Sequence, residues 1–445
     1  MTNSRDTIVA LASGRGLAGV AVVRVSGPEA ATIAKAMTGR AALEPRRAVR
    51  AHIRETSGEP IDDGLMLWFP GPKSFTGEDV VEFQVHGGRA VVNRVVNEVC
   101  FAARARLAEP GEFTKRAVLA GKLDLTRAEG LADLIDAETE FQRKQAFRQL
   151  GGALFDVYEA WRTKLVRTMA HLEATIDFSD QEIPDDLLNG VDRDIDVLLT
   201  EIEAHLKRGR KAERLRDGLF VSILGAPNVG KSSLLNRLAG REAAIVSDQA
   251  GTTRDALEVH LDLHGIPVVL IDTAGIRETD DRIEAEGVRR ALARGREADL
   301  KVVMVEANRW PDLDKNLADL VDDATIVVVN KSDQAEAHRL RTAERAGHLT
   351  ISVLTGSGLD AFEETIAERA AALVDGAGEP APTRERHRQC LEYCVRSLRR
   401  AQCLEGIEMR AEELRIAASS LGRLTGRVDV EDLLDVVFSD FCIGK

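Results

Sequence analysis

The sequence predicts a multidomain fold: an α+β N-terminal domain, an all-α helical domain, and an inserted α/β domain with a mainly parallel sheet. Three observations predict it. The chain has 445 residues, more than one hydrophobic core usually accommodates. Its pattern changes from short β-type runs to helical periodicity, and then to alternating β and α segments. The C-terminal segment is helical again but too short to bury a core alone.

The N-terminal segment, residues 1–118, mixes β-type runs with turns. Residues 20–25, 64–69 and 80–85 are rich in β-branched and large apolar side chains, and Gly-Pro pairs punctuate the segment. An apolar-rich stretch at residues 90–103 predicts a helix between strands. This combination indicates an α+β domain.

Two segments, residues 119–217 and 377–445, make up the predicted helical domain. Apolar residues such as Leu131, Leu134 and Ile135 recur there at spacings near three and four. Between the segments, residues 218–376 alternate β-branched runs with helical stretches, which predicts a mainly parallel sheet covered on both faces. Since domain termini often lie close together, we predict that this α/β domain is inserted into the helical one.

Composition and charge exclude several classes of protein. The net charge of −13 argues against a general nucleic-acid coat, although a local basic face remains open. The five cysteines form no CxxC pair, which favours a reducing compartment. We find no signal peptide and no run of about 18 apolar residues, so nothing is expected to span a membrane. These features predict a cytoplasmic protein.

Residues 225–232, GAPNVGKS, match the phosphate-binding motif GxxxxGK[ST]. The motif follows a buried-type strand and precedes an apolar-periodic helix, which is the context that it requires. Its glycines let backbone N–H groups and the helix N-terminus face phosphate oxygens. Lys231 is expected to reach the β- and γ-phosphates, and the Ser232 hydroxyl to ligate Mg²⁺.

Two further motifs follow later strands. The motif DTAG begins at Asp272, a carboxylate expected near Mg²⁺, and ends at Gly275, whose N–H can sense the γ-phosphate. The motif NKSD ends at Asp333, whose carboxylate can accept both N1–H and the exocyclic amine of guanine, a pair that adenine lacks. These motifs, in this order at three strand ends, predict a domain that binds and hydrolyses GTP.

Two loops complete the predicted nucleotide site. Thr253 in the stretch GTTRD is either a second Mg²⁺ ligand or part of a turn between strands. Ser352-Val353 is the expected base-side loop, where Val353 replaces the usual alanine but keeps its backbone N–H. The residues predicted to bind GTP are Asn228, Val229, Gly230, Lys231, Ser232, Ser233, Ser247, Asp248, Gln249, Ala250, Gly251, Thr252, Thr253, Asp272, Thr273, Ala274, Gly275, Asn330, Lys331, Ser332, Asp333, Ser352 and Val353.

The hydrolytic route differs from that of signalling GTPases, which place a water-orienting glutamine directly after the DxxG glycine. Here Ile276 occupies that position. Asn228 offers a side-chain oxygen for a monovalent cation, which would stabilise charge beside the phosphates as an arginine finger does. The other candidate is a carboxylate in the acidic stretch 278–286, which is also typical of a solvated loop.

The whole chain resembles the MnmE (TrmE) family of bacterial tRNA-modification GTPases. The stretches GAPNVGKSSLLN, SDQAGTTRD, DTAGIRETDDRIE, FPGPKSFTGEDVVEFQVHGG, PGEFTKRA, KLDLTRAEGLADLIDA and the terminal FCIGK carry the resemblance. It implies a tetrahydrofolate-binding and dimerisation domain (1–118), a helical domain in two segments (119–217 and 377–445) and a G domain (218–376).

The resemblance also implies K⁺-stimulated GTP hydrolysis, with the G domains of two subunits meeting across a homodimer. The implied K⁺ ligands are Asn228, Ser247, Gln249 and Thr252, and the implied Mg²⁺ ligands are Ser232 and Thr253. Glu284 matches the catalytic glutamate that positions water, so the implied catalytic set is Glu284, Lys231 and Asn228.

A folate site and a tRNA product follow from the same resemblance. The folate-site positions fall on Arg24, Glu82, Lys122 and Lys445, and the ligand would be 5-formyl- or 5,10-methylene-tetrahydrofolate. With the flavoprotein partner MnmG, in a heterotetramer, such proteins add an aminomethyl or carboxymethylaminomethyl group to C5 of the wobble uridine (position 34) of certain tRNAs.

Three questions stay open at the level of sequence. Cys442 is either a nucleophile for uridine C6 or a buried structural thiol. The basic run at 207–216 and the cluster Arg384, Arg386 and Arg388 either meet tRNA or form solvated helix faces. The alternative function is a GTP-timed assembly factor without modification chemistry, which would leave the N-terminal domain and the FCIGK end unused.

Overall fold

The computed structural model describes residues 6–14, 16–103, 105–177, 185–241, 243–245, 258–272, 298–312, 315–428, 434, 437, 438, 441 and 444. The chain divides into two compact units. The first comprises residues 1–132, 150–191 and 400–445, and the second residues 133–149 and 192–399. Among the described residues, no helix combines the length and the apolar character needed to cross a membrane.

The first unit contains a six-stranded sheet in the order β3-β4-β5-β2-β1-β6, antiparallel except for the β1–β6 pair. Alternate side chains of β2 and β5, such as Val23, Val25 and Phe83, are buried against the helices α1 and α2. The α+β prediction is confirmed for this region. The elements are β1 (Ile8–Leu11), β2 (Ala21–Ser26), α1 (Ala30–Thr38), β3 (Val49–Arg54), β4 (Pro60–Phe69), β5 (Val80–Val85), α2 (Arg89–Ala103) and β6 (Arg106–Leu107).

The helices of the first unit include α3 (Glu112–Leu119), α6 (Ala153–Asp177) and α13 (Ile407–Thr425). The last two pack side by side, with ion pairing between Glu173 and Arg415 at 3.2 Å. Phe438 and Phe441, near the C-terminus, join a buried cluster with Leu125. The C-terminal segment therefore packs with helices that precede the inserted domain, as predicted.

The second unit contains a six-stranded sheet in the order β12-β11-β10-β7-β9-β8, parallel except for the β8–β9 pair. One face packs on α8 and α11, and the other buries Val303, Val327 and Trp310. The predicted α/β fold is confirmed. The elements are β7 (Leu219–Gly225), α8 (Lys231–Ala239), β8 (Glu258–Leu263), β9 (Ile266–Asp272), β10 (Leu300–Glu306), α9 (Lys315–Ala318), β11 (Thr325–Asn330), α10 (Ala337–Arg345), β12 (Leu349–Thr350) and α11 (Leu359–Val374).

The second unit also contains helical segments from outside residues 218–376. Helix α5 (Glu140–Leu150) contacts the end of α7 (Asp185–Asp217) through two glutamine side chains. Helix α12 (Glu385–Cys403) pairs with α7 through Arg399 and Glu203 at 2.7 Å. Helix α4 (Leu125–Asp136) precedes α5 in the chain.

Candidate nucleotide site

The candidate site lies where β7, β9 and β11 end. These strands run parallel in one sheet, so their carboxyl ends share one edge. Gly225, Asp272 and Asn330 are the last residues of the three strands. Ligands of open α/β sheets bind at this edge. The structure therefore brings one residue of each predicted motif, namely Gly225, Asp272 and Asn330, to the same edge.

The backbone of the phosphate-binding loop curves around the ammonium group of Lys231. The Lys231 ammonium donates to the carbonyl oxygens of Gly225 at 2.9 Å and Ala226 at 3.0 Å. The turn uses positive φ angles at Asn228 (+61°) and Gly230 (+107°). Asn228 is exposed, and Lys231 is buried at the start of α8. This geometry places one cation and a helix N-terminus beside the loop, which suits an anion such as a nucleotide phosphate.

Ser232 and Asp272 form the oxygen pair expected around Mg²⁺. The Ser232 hydroxyl donates to Asp272 Oδ2 at 2.8 Å, and Asp272 is 1% exposed. Magnesium prefers hard oxygen ligands and is commonly held by one or two protein groups together with phosphate oxygens. The hydroxyl and the carboxylate therefore fit Mg²⁺ in the kind of oxygen atom that they offer.

Asn330 joins the phosphate side of the site to the base side. Its side-chain amide donates to the carbonyl oxygen of Val229 at 2.8 Å, and its amide oxygen accepts from the N–H of Val353 at 3.1 Å. Asn330 is 2% exposed, so water does not replace these bonds. A Cβ on Gly230 would lie 2.4 Å from Asn330 Nδ2, so glycine is required there. We call these two hydrogen bonds the Asn330 clamp, and they were not predicted from the NKSD motif.

Asp333 lies at the base side. Its Oδ1 accepts from the Ser352 hydroxyl at 2.5 Å, and this bond holds the pKa of Asp333 below its usual value. The carboxylate is thus kept ionised, the state that accepts from two guanine donors. Lys331 pairs with Glu306 at 3.1 Å. The Val353 N–H, expected at the base, donates here to Asn330 instead.

Several predicted site residues lie outside the described residues. The remaining predicted positions that the structure describes, Ser233 and Ser332, adjoin Ser232 and Asp333. The undescribed ones are Ser247, Asp248, Gln249, Ala250, Gly251, Thr252, Thr253, Thr273, Ala274, Gly275, Ile276, the acidic stretch 278–286 with Glu284, Cys442 and Lys445.

The N-terminal domain brings two of its predicted site residues into direct contact. Arg24 and Glu82 are opposite each other on β2 and β5, and their side chains pair at 2.9 Å. The guanidinium also lies over Phe75 (5.6 Å to the ring centroid) and Phe113 (5.7 Å). Lys122 donates to the carbonyl oxygen of Pro72. The outer face of this sheet therefore offers a half-buried ion pair beside two aromatic rings.

A charged network next to this pair was missed at the level of sequence. Arg116 contacts Asp6 at 2.9 Å, Glu78 at 3.0 Å and Glu112 at 2.9 Å. Burial alone would raise the pKa of Glu112, but hydrogen bonds from Arg106, a backbone N–H and Arg116 hold it below its usual value. The i,i+4 spacing of Glu112 and Arg116 is a signal that could have indicated part of it.

The basic segments considered for tRNA contact are largely engaged by acidic side chains of the second unit. The ion pairs favour a structural role for these arginines. The pairs are Arg208–Glu379, Arg214–Asp299, Arg216–Asp133, Arg384–Asp133 and Arg388–Glu213.

Comparisons with known proteins cover nearly the whole chain. Residues 7–122 match the family model "GTP-binding protein TrmE N-terminus", and residues 125–442 match the model "MnmE helical domain". The tRNA modification GTPase MnmE of Paramagnetospirillum magneticum is 53% identical over 440 residues, covering 99% of this chain and 100% of that protein. The MnmE of Parvibaculum lavamentivorans is also 53% identical, with 99% and 100% coverage. The mitochondrial 5-taurinomethyluridine-[tRNA] synthase subunit GTPB3 of Danio rerio is 46% identical, with 99% and 93% coverage.

Proposed function

This chain belongs to the MnmE family of tRNA modification GTPases, and from that premise we propose that it couples GTP hydrolysis to modification of the wobble uridine of certain tRNAs. The observation that carries the proposal is the meeting of Lys231, the Ser232–Asp272 pair and the Ser352–Asp333 pair at one sheet edge. Lys231 suits the phosphates of Mg²⁺-GTP, the Ser232–Asp272 pair suits the metal, and the Ser352–Asp333 pair suits the guanine.

GTP would lie with its phosphates against the loop at 225–232 and its base against Asp333. Lys231 exchanges its carbonyl contacts for phosphate oxygens, and Ser232 and Thr253 provide ligands for Mg²⁺. The ionised Asp333 accepts from guanine and thereby rejects adenine. The Asn330 clamp fixes the distance between the two halves of the site.

We propose that hydrolysis uses a monovalent cation and a carboxylate. Asn228 is exposed on the phosphate loop and would hold K⁺ together with Ser247, Gln249 and Thr252, while Glu284 would position the attacking water. The cation supplies positive charge beside the phosphates, where negative charge grows in the transition state. Turnover in K⁺ and in Na⁺ of equal ionic strength tests this. Equal rates in the two salts would refute the role of Asn228.

In the N-terminal domain we propose a site for 5-formyl- or 5,10-methylene-tetrahydrofolate that includes Arg24, Glu82, Lys122 and Lys445. A carboxylate can pair with the aminopyrimidine edge of a pterin, and lysines suit the glutamate tail. The bound folate would supply the one-carbon unit. Calorimetric titration with 5-formyl-tetrahydrofolate tests the site: the Glu82→Ala variant should lose binding, and the Glu109→Ala variant, with an exposed carboxylate, should keep it.

The remaining proposals concern assembly and product. We propose the domain bounds 1–118, 119–217, 218–376 and 377–445, a homodimer, a flavoprotein partner of the MnmG type, and a cytoplasmic location. The product would be aminomethyl- or carboxymethylaminomethyl-uridine. Mass spectrometry of wobble nucleosides in a deletion strain tests this function, and unchanged nucleosides would favour an assembly factor without modification chemistry.

A further inference from the structure

Glu306, the last residue of β10, lies at the same sheet edge as the NKSD motif. In the parallel register of β10 and β11, Glu306 is opposite Asn330, the last residue of β11. The carboxyl ends of both strands share the edge where ligands of open α/β sheets bind. Glu306 was not among the predicted site residues. Its carboxylate is therefore an additional charge beside the base side of the site.

This carboxylate pairs with the lysine of the NKSD motif. The Lys331 ammonium lies 3.1 Å from Glu306 Oε1, and the two side chains are only 30% and 29% exposed. Among the residues that the structure describes, Glu306 is the only carboxylate in contact with this ammonium. Because both groups are partly withdrawn from water, their attraction is screened less than that of a fully exposed pair.

The backbone around Lys331 is fixed on both sides. Asn330 precedes it and is held by the Asn330 clamp, and Lys331 itself has a φ of +63°. The N–H of Ser332 donates to the carbonyl oxygen of Ile351 at 3.0 Å, and the N–H of Gln334 donates to that of Lys331 at 3.0 Å. The position of the ammonium is therefore decided by the torsions of the side chain and by the partner that it finds.

A second carboxylate, that of Asp333, competes for the same ammonium. The hydrogen bond from Ser352 is the main cause that holds the pKa of Asp333 below its usual value, and the charge of Lys331 is a smaller cause. Lys331 thus acts on Asp333 through space while it contacts Glu306. A lysine side chain is flexible and carries three donors. Without Glu306, the ammonium can turn to Asp333 and occupy the oxygen atoms that guanine requires.

We propose that Glu306 is a positioning residue for guanine recognition. It holds the Lys331 ammonium away from Asp333, so that the Asp333 carboxylate stays available to N1–H and the exocyclic amine of guanine. Glu306 needs no contact with the nucleotide for this role. The inference rests on the proposed binding of guanine by Asp333, and it adds a residue from a different strand.

The test is a double-mutant cycle in the full-length chain, with Kd measured by fluorescence titration of a labelled GDP. Glu306→Ala releases the ammonium and should raise Kd about fivefold or more. In a Lys331→Met chain no ammonium competes for Asp333, so the further change Glu306→Ala should alter Kd less than about twofold. Glu336→Ala is the matched control, because it removes the same charge near Asp333 from a side chain that is 77% exposed.

A milder variant covers the case in which Glu306→Ala does not fold. Glu306→Gln keeps an acceptor for Lys331 but loses the charge, so it should raise Kd about twofold or more, again only when Lys331 is present. An effect that persists in the Lys331→Met chain would indicate a merely structural contact and overturn the inference. An effect no larger than that of Glu336→Ala would also overturn it. Equal affinity of the unaltered chain for GDP and ADP would instead refute the proposed role of Asp333.

Discussion

Replacement of Asn330 by alanine is expected to separate the two halves of the nucleotide site. The substitution removes the donor to the Val229 carbonyl and the acceptor of the Val353 N–H. Each hydrogen bond is worth about 0.5–1.5 kcal/mol net, and a buried group left without a partner costs about 1–3 kcal/mol. Because Val229 and Val353 are both buried, we expect the nucleotide domain to lose about 2–3 kcal/mol of stability.

The measurement is made without nucleotide, so that a lost contact to guanine cannot contribute. Hydrogen–deuterium exchange of peptides from α8 and β11 reports the opening free energy of this domain alone, which global unfolding of a multidomain chain does not. Asn236→Ala is the control, since Asn236 lies on the exposed face of α8. A loss that differs from the control by less than about 0.5 kcal/mol, the usual size of a surface effect, would refute the clamp.

Three further predictions concern other parts of the chain. Gly230→Ala forces a Cβ to 2.4 Å from Asn330 Nδ2 at a φ of +107°. It should destabilise the nucleotide domain by about 1–3 kcal/mol in the same exchange experiment. The control Gly240→Ala should be tolerated, because the nearest atom to its Cβ would be 3.7 Å away. Glu112→Gln should cost the N-terminal domain about 2–4 kcal/mol at pH 7, measured by hydrogen–deuterium exchange of peptides from β1 and α3 against Glu109→Gln. The pKa of Glu112 is lowered in the folded state, so its contribution to the free energy of unfolding is present above its ordinary pKa of about 4.3. That contribution is lost as the pH falls through the lower pKa of the folded state. A free energy of unfolding that stays the same between pH 5 and pH 3 would therefore contradict the network. Burial raises the pKa of Cys394 to about 12, so iodoacetamide at pH 8 should alkylate the exposed Cys403 and spare Cys394 in the folded protein; equal labelling by mass spectrometry would contradict that burial.

The sequence by itself determined the fold class and the core of the nucleotide site. A phosphate loop is a contiguous stretch whose backbone does the binding, so residues 225–232 identify it without knowledge of distant residues. The alternation of strands and helices predicted the parallel sheet, and a parallel sheet places Gly225, Asp272 and Asn330 at one edge. Short or charged elements were less visible: β3, with arginine and histidine on its exposed positions, and helix α1 were not predicted.

Only the tertiary structure decided which side chains hold one another. The Asn330 clamp joins residues 101 and 23 positions apart, and the Arg24–Glu82 pair spans 58 positions. Phe141 and Glu138 precede the nucleotide domain in the chain, yet they contact Gly265 and His260 within it. Such contacts depend on strand order, register and packing between elements, which local residue patterns do not specify.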